Sequence, residues 1–317
     1  MSRMYPMATS DLSVAPAPLL VVNRHARGGG GSQQTAHLVE LLRAVGIDVD
    51  VCEEPEMAAA QGRVRAAVRA GCPLVVAAGG DGTIEGLAPS LVNSGTALGI
   101  LPLGTYNNLA TCLGIPPGLE AACAVLASGA TRPVDVGEVR AHGSTDGHLF
   151  LEQATVGLGA ALAPVGESLH QGDWLEALRA LPAAARLEPV PVLVHLDEAT
   201  AGWQTETLLV TVCNAPRSAA AFVLAPDALM DDGQLDVCVY EGLHQAQLAA
   251  KLLEFMSGGV PEGPGVRRAR ARSVAISSSR SLLVAADSRV VGETPARCTI
   301  QPHALRVLVP PSGDGGE

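Results

Sequence analysis

A chain of 317 residues with 48% hydrophobic side chains carries enough apolar material for one large or two ordinary domains, and with aromatics at only 3% its core has to be aliphatic. A formal net charge of −11 denies it the basic footprint of a nucleic-acid binder and any whole-body attraction to anionic membranes. Seven scattered cysteines with no Cys-x-x-Cys spacing, and histidines with no His-x-x-x-His spacing, point to buried thiols in a reducing cytoplasm and to no zinc site.

Residues 1–17 read as a disordered lead-in without the long apolar core of a signal peptide. No uninterrupted apolar run approaches the ~20 residues that span a bilayer. Residues 19–22 form a short apolar strand. A loop with four consecutive glycines, 28–31, follows, then an amphipathic helix over 35–45. A strand over 47–52 and a helix over 58–70 come next. Residues 74–78, Leu-Val-Val-Ala-Ala, are a charge-free run of the kind buried in a parallel sheet. Gly79-Gly80-Asp81-Gly82-Thr83 comes at once, then a helix over 84–92 broken by Pro89. A second apolar run, 97–101, ends in Pro102-Leu103-Gly104-Thr105, with a helix starting near Asn107. Alternating strands and helices predict a doubly wound parallel sheet over residues 18–133.

After Pro133 the pattern changes. Strand-like runs at 149–156, 190–196, 207–214, 235–240, 281–291 and 304–309, with one helical insert at 174–187, predict a second domain over 134–310, rich in antiparallel β-structure. Residues 311–317 read as a disordered tail. Arg267, Arg268, Arg270 and Arg272 form a basic run, read either as one solvated strand face or as a patch for anionic headgroups.

The two loops after the central strands carry the chemistry. Three glycines let bare backbone N–H groups approach an anion, and the following helix aims its positive end at the same place. Asp81 cannot itself attract phosphate, so it implies a divalent cation. Thr83 and Thr105 add hydroxyls. The bland alternative is a tight Gly-Gly or Asp-Gly turn. The continuous flanking runs and the second Gly-Thr loop weigh against it, because both loops then lie at carboxyl ends of strands, where open α/β sheets bind ligands.

Gly79-Gly80-Asp81-Gly82-Thr83 followed by 98–105, Leu-Gly-Ile-Leu-Pro-Leu-Gly-Thr, resembles the diacylglycerol kinase catalytic domain family, which includes bacterial lipid kinases and sphingosine kinases. The resemblance extends from Leu19 to Pro310. It implies a Rossmann-like domain with helices on both faces of the sheet, a sandwich-like β domain, and nucleotide between the two. It implies ATP held by Asn23, Gly79, Gly80, Asp81, Gly82, Thr83, Glu85, Gly104 and Thr105, with Mg²⁺ as cofactor. Asp287, where the family has Asp-Gly-Glu, is implied as the general base. Asp232, with the carbonyls of Leu229 and Gln234, is implied as a structural Mg²⁺ site; read alone, Asp-Asp-Gly is simply a good turn. The implied partner is a lipid at a membrane surface, with peripheral contact from a cytoplasmic protein, no nucleic acid, and a homodimer left open.

Several positions depart from the family pattern. Arg24 and Ala26 replace a Pro and a Ser in the first loop, whose glycines could also serve as a slack linker. Cys52 replaces a nucleotide-side Thr. Asn108 replaces an Asp and removes a charge from the cation's surroundings. Ser288 and Arg289 replace the Gly and Glu beside the presumed base, and Arg289 is expected to depress the Asp287 pKa or, instead, to face a lipid phosphate. Ala219 and Ala220 replace glycines. The leading reading is an ATP-dependent lipid kinase. An NAD-kinase-like enzyme and a catalytically impaired nucleotide- or lipid-binding homologue are the rivals.

Overall fold

The computed structural model describes residues 16–23, 31–161, 188–198, 202–218, 222–242, 247 and 263–311. Arg24, Ala26, the helical insert at 174–187, Ala219, Ala220, most of the lead-in and the tail past 311 lie outside these residues.

Four short strands, β1 (Leu19–Val22), β2 (Asp50–Cys52), β3 (Leu74–Gly79) and β4 (Ala97–Pro102), pair in the order β2-β1-β3-β4, all parallel. Every residue of β1 and β3 is buried, as expected of strands covered on both faces, which is why they read as unbroken apolar runs. The helices α1 (Gly31–Ala44), α2 (Met57–Arg69), α3 (Asp81–Leu87), α4 (Asn108–Cys112) and α5 (Leu119–Ser128) supply the cover. Helix α1 packs on α5, and α2 on α3. Their apolar stripes are narrow: Leu38 and Leu42 on α1, Ala60 and Val64 on α2, each pair four residues apart.

Helix α3 begins at Asp81, inside the Gly-rich motif, and ends at Leu87 before a 3₁₀ turn over Ala88–Ser90 that contains Pro89. The expected helix over 84–92 is therefore shifted toward the loop. Pro89 lacks an N–H and cannot continue the α ladder, and Gly80, extended at φ −92°, is a good entry point.

The remaining strands are β5 (Ala130–His142), β6 (His148–Phe150), β7 (Gln153–Gly157), β8 (Val190–Leu196), β9 (Trp203–Cys213), β10 (Arg217–Ser218), β11 (Phe222–Val223), β12 (Leu235–Glu241), β13 (Val266–Ala271), β14 (Ser273–Ser278), β15 (Leu283–Ala286) and β16 (Arg289–Val309). Apart from the β10–β11 pair they join the same hydrogen-bonded sheet, with antiparallel pairing except where β16 meets β4. β16 is 21 residues long. Its first part pairs with β14 and β15, and its last part adds to the parallel sheet through Arg306–Ala97 and Val307–Leu98. β5 runs antiparallel beside it from Glu293 onward. Two main cores and a smaller third cluster result. The first core gathers β1, β3, β4 and the helices with Val134, Leu305 and Val307; the second gathers Val139, Phe150, Val156, Val210, Val237, Ile276 and Cys298; the third cluster gathers Leu209, Cys213, Leu224, Cys238 and Tyr240.

Asp135 fastens the crossing between the two cores. It is fully buried, and its carboxylate accepts the N–H of Gly233 at 2.6 Å and of His303 at 2.7 Å. His303 sits at φ +54°, in the register break of β16 between Gln301 and Leu305. Asn214, also buried, donates from Nδ2 to the carbonyls of Asp135 and Leu151. Asp135→Ala leaves two buried N–H groups without acceptors and should lower the unfolding free energy by about 3 kcal/mol. Urea denaturation checks this; an unchanged midpoint would mean that the β16 break holds without it.

Candidate active site

The two glycine loops meet backbone to backbone. A Cβ on Gly80 would lie 2.9 Å from the Gly104 Cα, and one on Gly104 would lie 2.5 Å from the Gly80 Cα. A side chain at either position would part the loops. Asn107, at φ +50°, closes the second loop: its Oδ1 accepts the Gly104 N–H at 2.8 Å and its Nδ2 donates to the Gly104 carbonyl at 3.0 Å. Asn23, at the end of β1, donates to Thr83 Oγ1 at 2.9 Å, and a Cβ on Gly79 would strike the same hydroxyl. Gly82 is different, since a Cβ there meets nothing within 4 Å. Thr105 lies exposed on the second loop. The structure thus brings Asn23, Gly79, Gly80, Thr83 and Gly104 together around one turn, with Gly82 open on its outer side.

Asp81 points under these loops. It is buried, and its Oδ1 accepts the N–H of Leu109 at 3.1 Å. Glu85, one turn later on α3, accepts the Ser288 hydroxyl on Oε2 at 3.0 Å. Ser288 stands in the turn between β15 and β16, so this departure from the family pattern ties that turn to α3.

Asp287 occupies the same turn at φ +47°, a backbone conformation that Asp tolerates better than most residues. Its Oδ2 accepts the Leu151 N–H at 2.9 Å; its Oδ1 accepts those of Glu152 at 2.9 Å and Gln153 at 3.0 Å. These bonds explain why the run 149–156 is two strands and not one. The N–H groups of Leu151 to Gln153 turn away from the ladder toward a carboxylate, and the chain bends between β6 and β7. About one of the carboxylate's four lone-pair positions remains for another proton or donor.

The bend presents a residue that the sequence reading passed over. Glu152 is buried, only 3% exposed. Asn108, equally buried, aims its Nδ2 at Glu152 Oε2, 3.5 Å away. An acid between Leu151 and Gln153 in an otherwise strand-like run was the available signal, because a buried strand rarely spends a position on a charge.

Four carboxyl groups therefore act on one another. Burial pushes the Asp287 carboxyl up to about 6, with its three backbone bonds opposing the rise and the Asp81 charge adding to it. Burial raises Glu85 well above the ordinary carboxylate range, helped by Asp287 and Asp81. Burial raises Glu152 likewise, helped by Glu85, Asp81 and Asp287. Arg289, expected to depress Asp287, is exposed, and the Asp287 carboxyl moves the other way. Desolvation at the turn outweighs the charge of an arginine exposed to water.

The Asp232 loop is separate. Asp232 Oδ1 accepts the Gln234 N–H at 3.0 Å, while Oδ2 is buried without a hydrogen-bond partner, with Arg270 Nη1 3.7 Å away. Leu229 is 52% exposed. An orphaned carboxylate oxygen suits a small cation with carbonyl ligands. The basic run is largely engaged within the sheet. Arg270 also bonds Asp236, and Arg267 lies over the Trp203 ring at 4.1 Å and 3.6 Å from Glu241.

The diacylglycerol kinase catalytic domain model matches residues 17–139, and the YegS C-terminal NAD kinase beta sandwich-like domain model matches residues 167–309. A "Probable lipid kinase YegS-like" of Pseudomonas fluorescens is 32% identical over 284 residues, 88% of this chain and 91% of the relative. The chain belongs to the diacylglycerol kinase catalytic domain family. A Klebsiella pneumoniae relative of the same name is 29% identical over 95% of this chain and 98% of its own length. The crystal structure of a diacylglycerol kinase from Bacillus anthracis superposes with a TM-score of 0.72, at 21% identity, over 92% of this chain and 96% of its own, and shares the fold. The two-domain architecture of this kinase family, an N-terminal catalytic domain and a C-terminal β domain, is the architecture expected from the sequence. No helix among the described residues is long and apolar enough to cross a membrane.

For this family member the carboxylate cluster has a consequence for stability. Folding raises the Glu85, Glu152 and Asp287 carboxyls above their unfolded values, so between the two values the native state holds more protons than the unfolded chain. Without a divalent cation the melting temperature should therefore rise as pH falls from about 7 to about 5. Saturating Mg²⁺ and nucleotide should flatten that dependence. A metal-free melting temperature that falls with pH over this range would contradict the electrostatics described here.

Proposed function

We propose that this protein is an ATP-dependent lipid kinase that transfers the γ-phosphate to a hydroxyl of a diacylglycerol-like or related lipid. The observation that carries the reading is the convergence of Asp287 of the β domain on the Gly79–Thr83 loop of the α/β domain, with Ser288 bonded to Glu85 across the two. Phosphoryl transfer asks for a cradle for phosphates, charge neutralisation and a carboxylate that takes the hydroxyl proton.

The backbone around Gly80 and Gly104 is the cradle, with Thr83 and Thr105 lending hydroxyls. A side chain at Gly80 or Gly104 would part the two loops that frame it. Asp81 and its neighbours are the acidic side that a nucleotide-bound Mg²⁺ needs; when bound, the ion neutralises charge on the phosphates. Among the described residues no three acidic, histidine or cysteine side chains form a ready metal cage. That fits an ion that uses one or two carboxylates and takes its other ligands from phosphate and water. Asp287 is the base. Its three N–H bonds hold the carboxylate in one orientation, and a value of about 6 leaves it ionised at neutral pH yet basic enough to accept a proton. Asp232, with the carbonyls of Leu229 and Gln234, is the place for a second, structural ion. The lipid would approach from the membrane surface toward the Asp287 turn, and the paired state of Arg267 and Arg270 leaves headgroup docking less charge than the sequence suggests.

A second reading, phosphorylation of NAD, draws on the NAD kinase likeness of the C-terminal domain. Labelled ATP with a total lipid extract in one arm and NAD in the other separates them. Label should enter the lipid phase with the wild-type protein, rising with pH across about 6. Asp287→Asn should reduce it by about 10²–10⁴-fold with nucleotide affinity retained. Label in NADP alone, or full lipid turnover by Asp287→Asn, would overturn the assignment.

A further inference from the structure

Asn108 poses a problem for the proposed chemistry. It stands where the family pattern has an aspartate, so the acidic side of the nucleotide's cation is one charge short. The structure shows where that charge is. Glu152 reaches the Asn108 amide from the β6–β7 bend, 44 positions along the chain, with Oε2 3.5 Å from Asn108 Nδ2.

Three observations single Glu152 out from an ordinary buried acid. It is 97% removed from solvent, yet its Oε1 has no hydrogen-bond partner among the described residues. A buried carboxylate oxygen left bare is costly and asks for a cation or a donor that comes with a ligand. Its backbone is fixed at both ends: the N–H on Asp287 Oδ1 at 2.9 Å, and the carbonyl accepting the N–H groups of Asn214 at 2.8 Å and Ala215 at 3.0 Å. The side chain is thus held in position, with the Ser218 hydroxyl as a further partner of the carboxylate, while Oε1 itself keeps no partner. Finally, the Glu85, Asp81 and Asp287 charges all act on it, so it stands within electrostatic reach of α3 and of the Asp287 turn together. A purely structural acid at a domain junction would resemble Asp135, whose two oxygens each accept a backbone N–H.

We propose that Glu152 supplies, from the β domain, the carboxylate that Asn108 lacks, and that Asp81 and Glu152 together form the protein side of the nucleotide's divalent-cation site. The acid and the amide have exchanged places across the domain junction, and Asn108 Nδ2 orients the acid that replaces its own. The inference rests on the kinase reading and deepens it. One result is particular to this arrangement: closing the cation site requires both domains, because Asp81 belongs to α3 and Glu152 to the β6–β7 bend.

The test uses Mn²⁺ as the probe, read by electron paramagnetic resonance on the full chain with ADP, beside calorimetric ADP binding in EDTA. Wild type should bind Mn²⁺ with ADP present. Glu152→Gln should weaken Mn²⁺ by about 10–100-fold while metal-free ADP affinity stays unchanged. The transposed double variant, Asn108→Asp with Glu152→Asn, should recover most of the loss, a rescue that a merely structural Glu152 would not give. Melting curves guard against misfolding: Glu152→Gln removes one of four repelling charges and should melt no lower than wild type without metal. Mn²⁺ affinity unchanged in a folded Glu152→Gln protein, or a transposed variant no better than the single one, would overturn the proposal and leave the kinase reading standing. Failure of the wild type to bind ADP at all would sink the kinase reading and the proposal with it.

Discussion

Four carboxylates converge where the two domains join, and their mutual repulsion is the constraint that the rest of the structure answers. Asp81 and Glu85 come from α3, Glu152 from the bend after β6, Asp287 from the turn after β15. Each is placed by a partner that favours its position: Leu109 N–H for Asp81, the Ser288 hydroxyl for Glu85, the Asn108 amide for Glu152, and three consecutive N–H groups for Asp287. Yet each is pushed toward its neutral form or pushes its neighbours there. Such an arrangement is poor design for stability alone, since apolar residues would fill the space at lower cost. It makes sense as a site prepared for added positive charge and for a proton in transit.

The fold keeps these groups in register by refusing to separate its domains. β16 begins beside β15 in the β domain and ends against β4 in the α/β domain, with β5 antiparallel to it from Glu293 onward. Asp135 pins the place where β16 changes register, and Asn214 donates to both the Asp135 carbonyl of β5 and the carbonyl of Leu151, next to Glu152. The β domain's acids are therefore mounted on a continuous hydrogen-bonded sheet whose other end carries the glycine loops. A junction of this kind permits less relative motion than a flexible linker would.

The legible parts were those governed by local rules. β1 and β3 announce themselves as unbroken apolar runs because both faces are covered, and the loop after β3 announces itself because only glycine permits the approach of Gly80 to Gly104. The start of α3 was misplaced because Asp81 and Gly82 are poor helix formers, here held helical by their setting. The break at Leu151–Glu152 was invisible for a different reason: its cause, Asp287, lies 136 residues from Leu151. The continuity of β16 was hidden by Pro295 and Pro302, which stand at its two register breaks and look like strand ends. Glu152 escaped notice although its type and its neighbours marked it. Reading Arg289 as the partner of Asp287 failed because adjacency in sequence does not place a long side chain against its neighbour in a tight turn.

The central claim, that a cation completes the carboxylate cluster, is tested most directly by locating one. Crystals grown with Mn²⁺ and a non-hydrolysable ATP analogue, measured at the manganese absorption edge, would show the ion without assumptions about its ligands. The account predicts an anomalous peak within ligand distance of the Asp81 and Glu152 side chains, directly or through one water, on the side of the Gly79–Thr83 loop. A peak confined to the Asp232 loop, with nucleotide bound and the cluster empty, would contradict it.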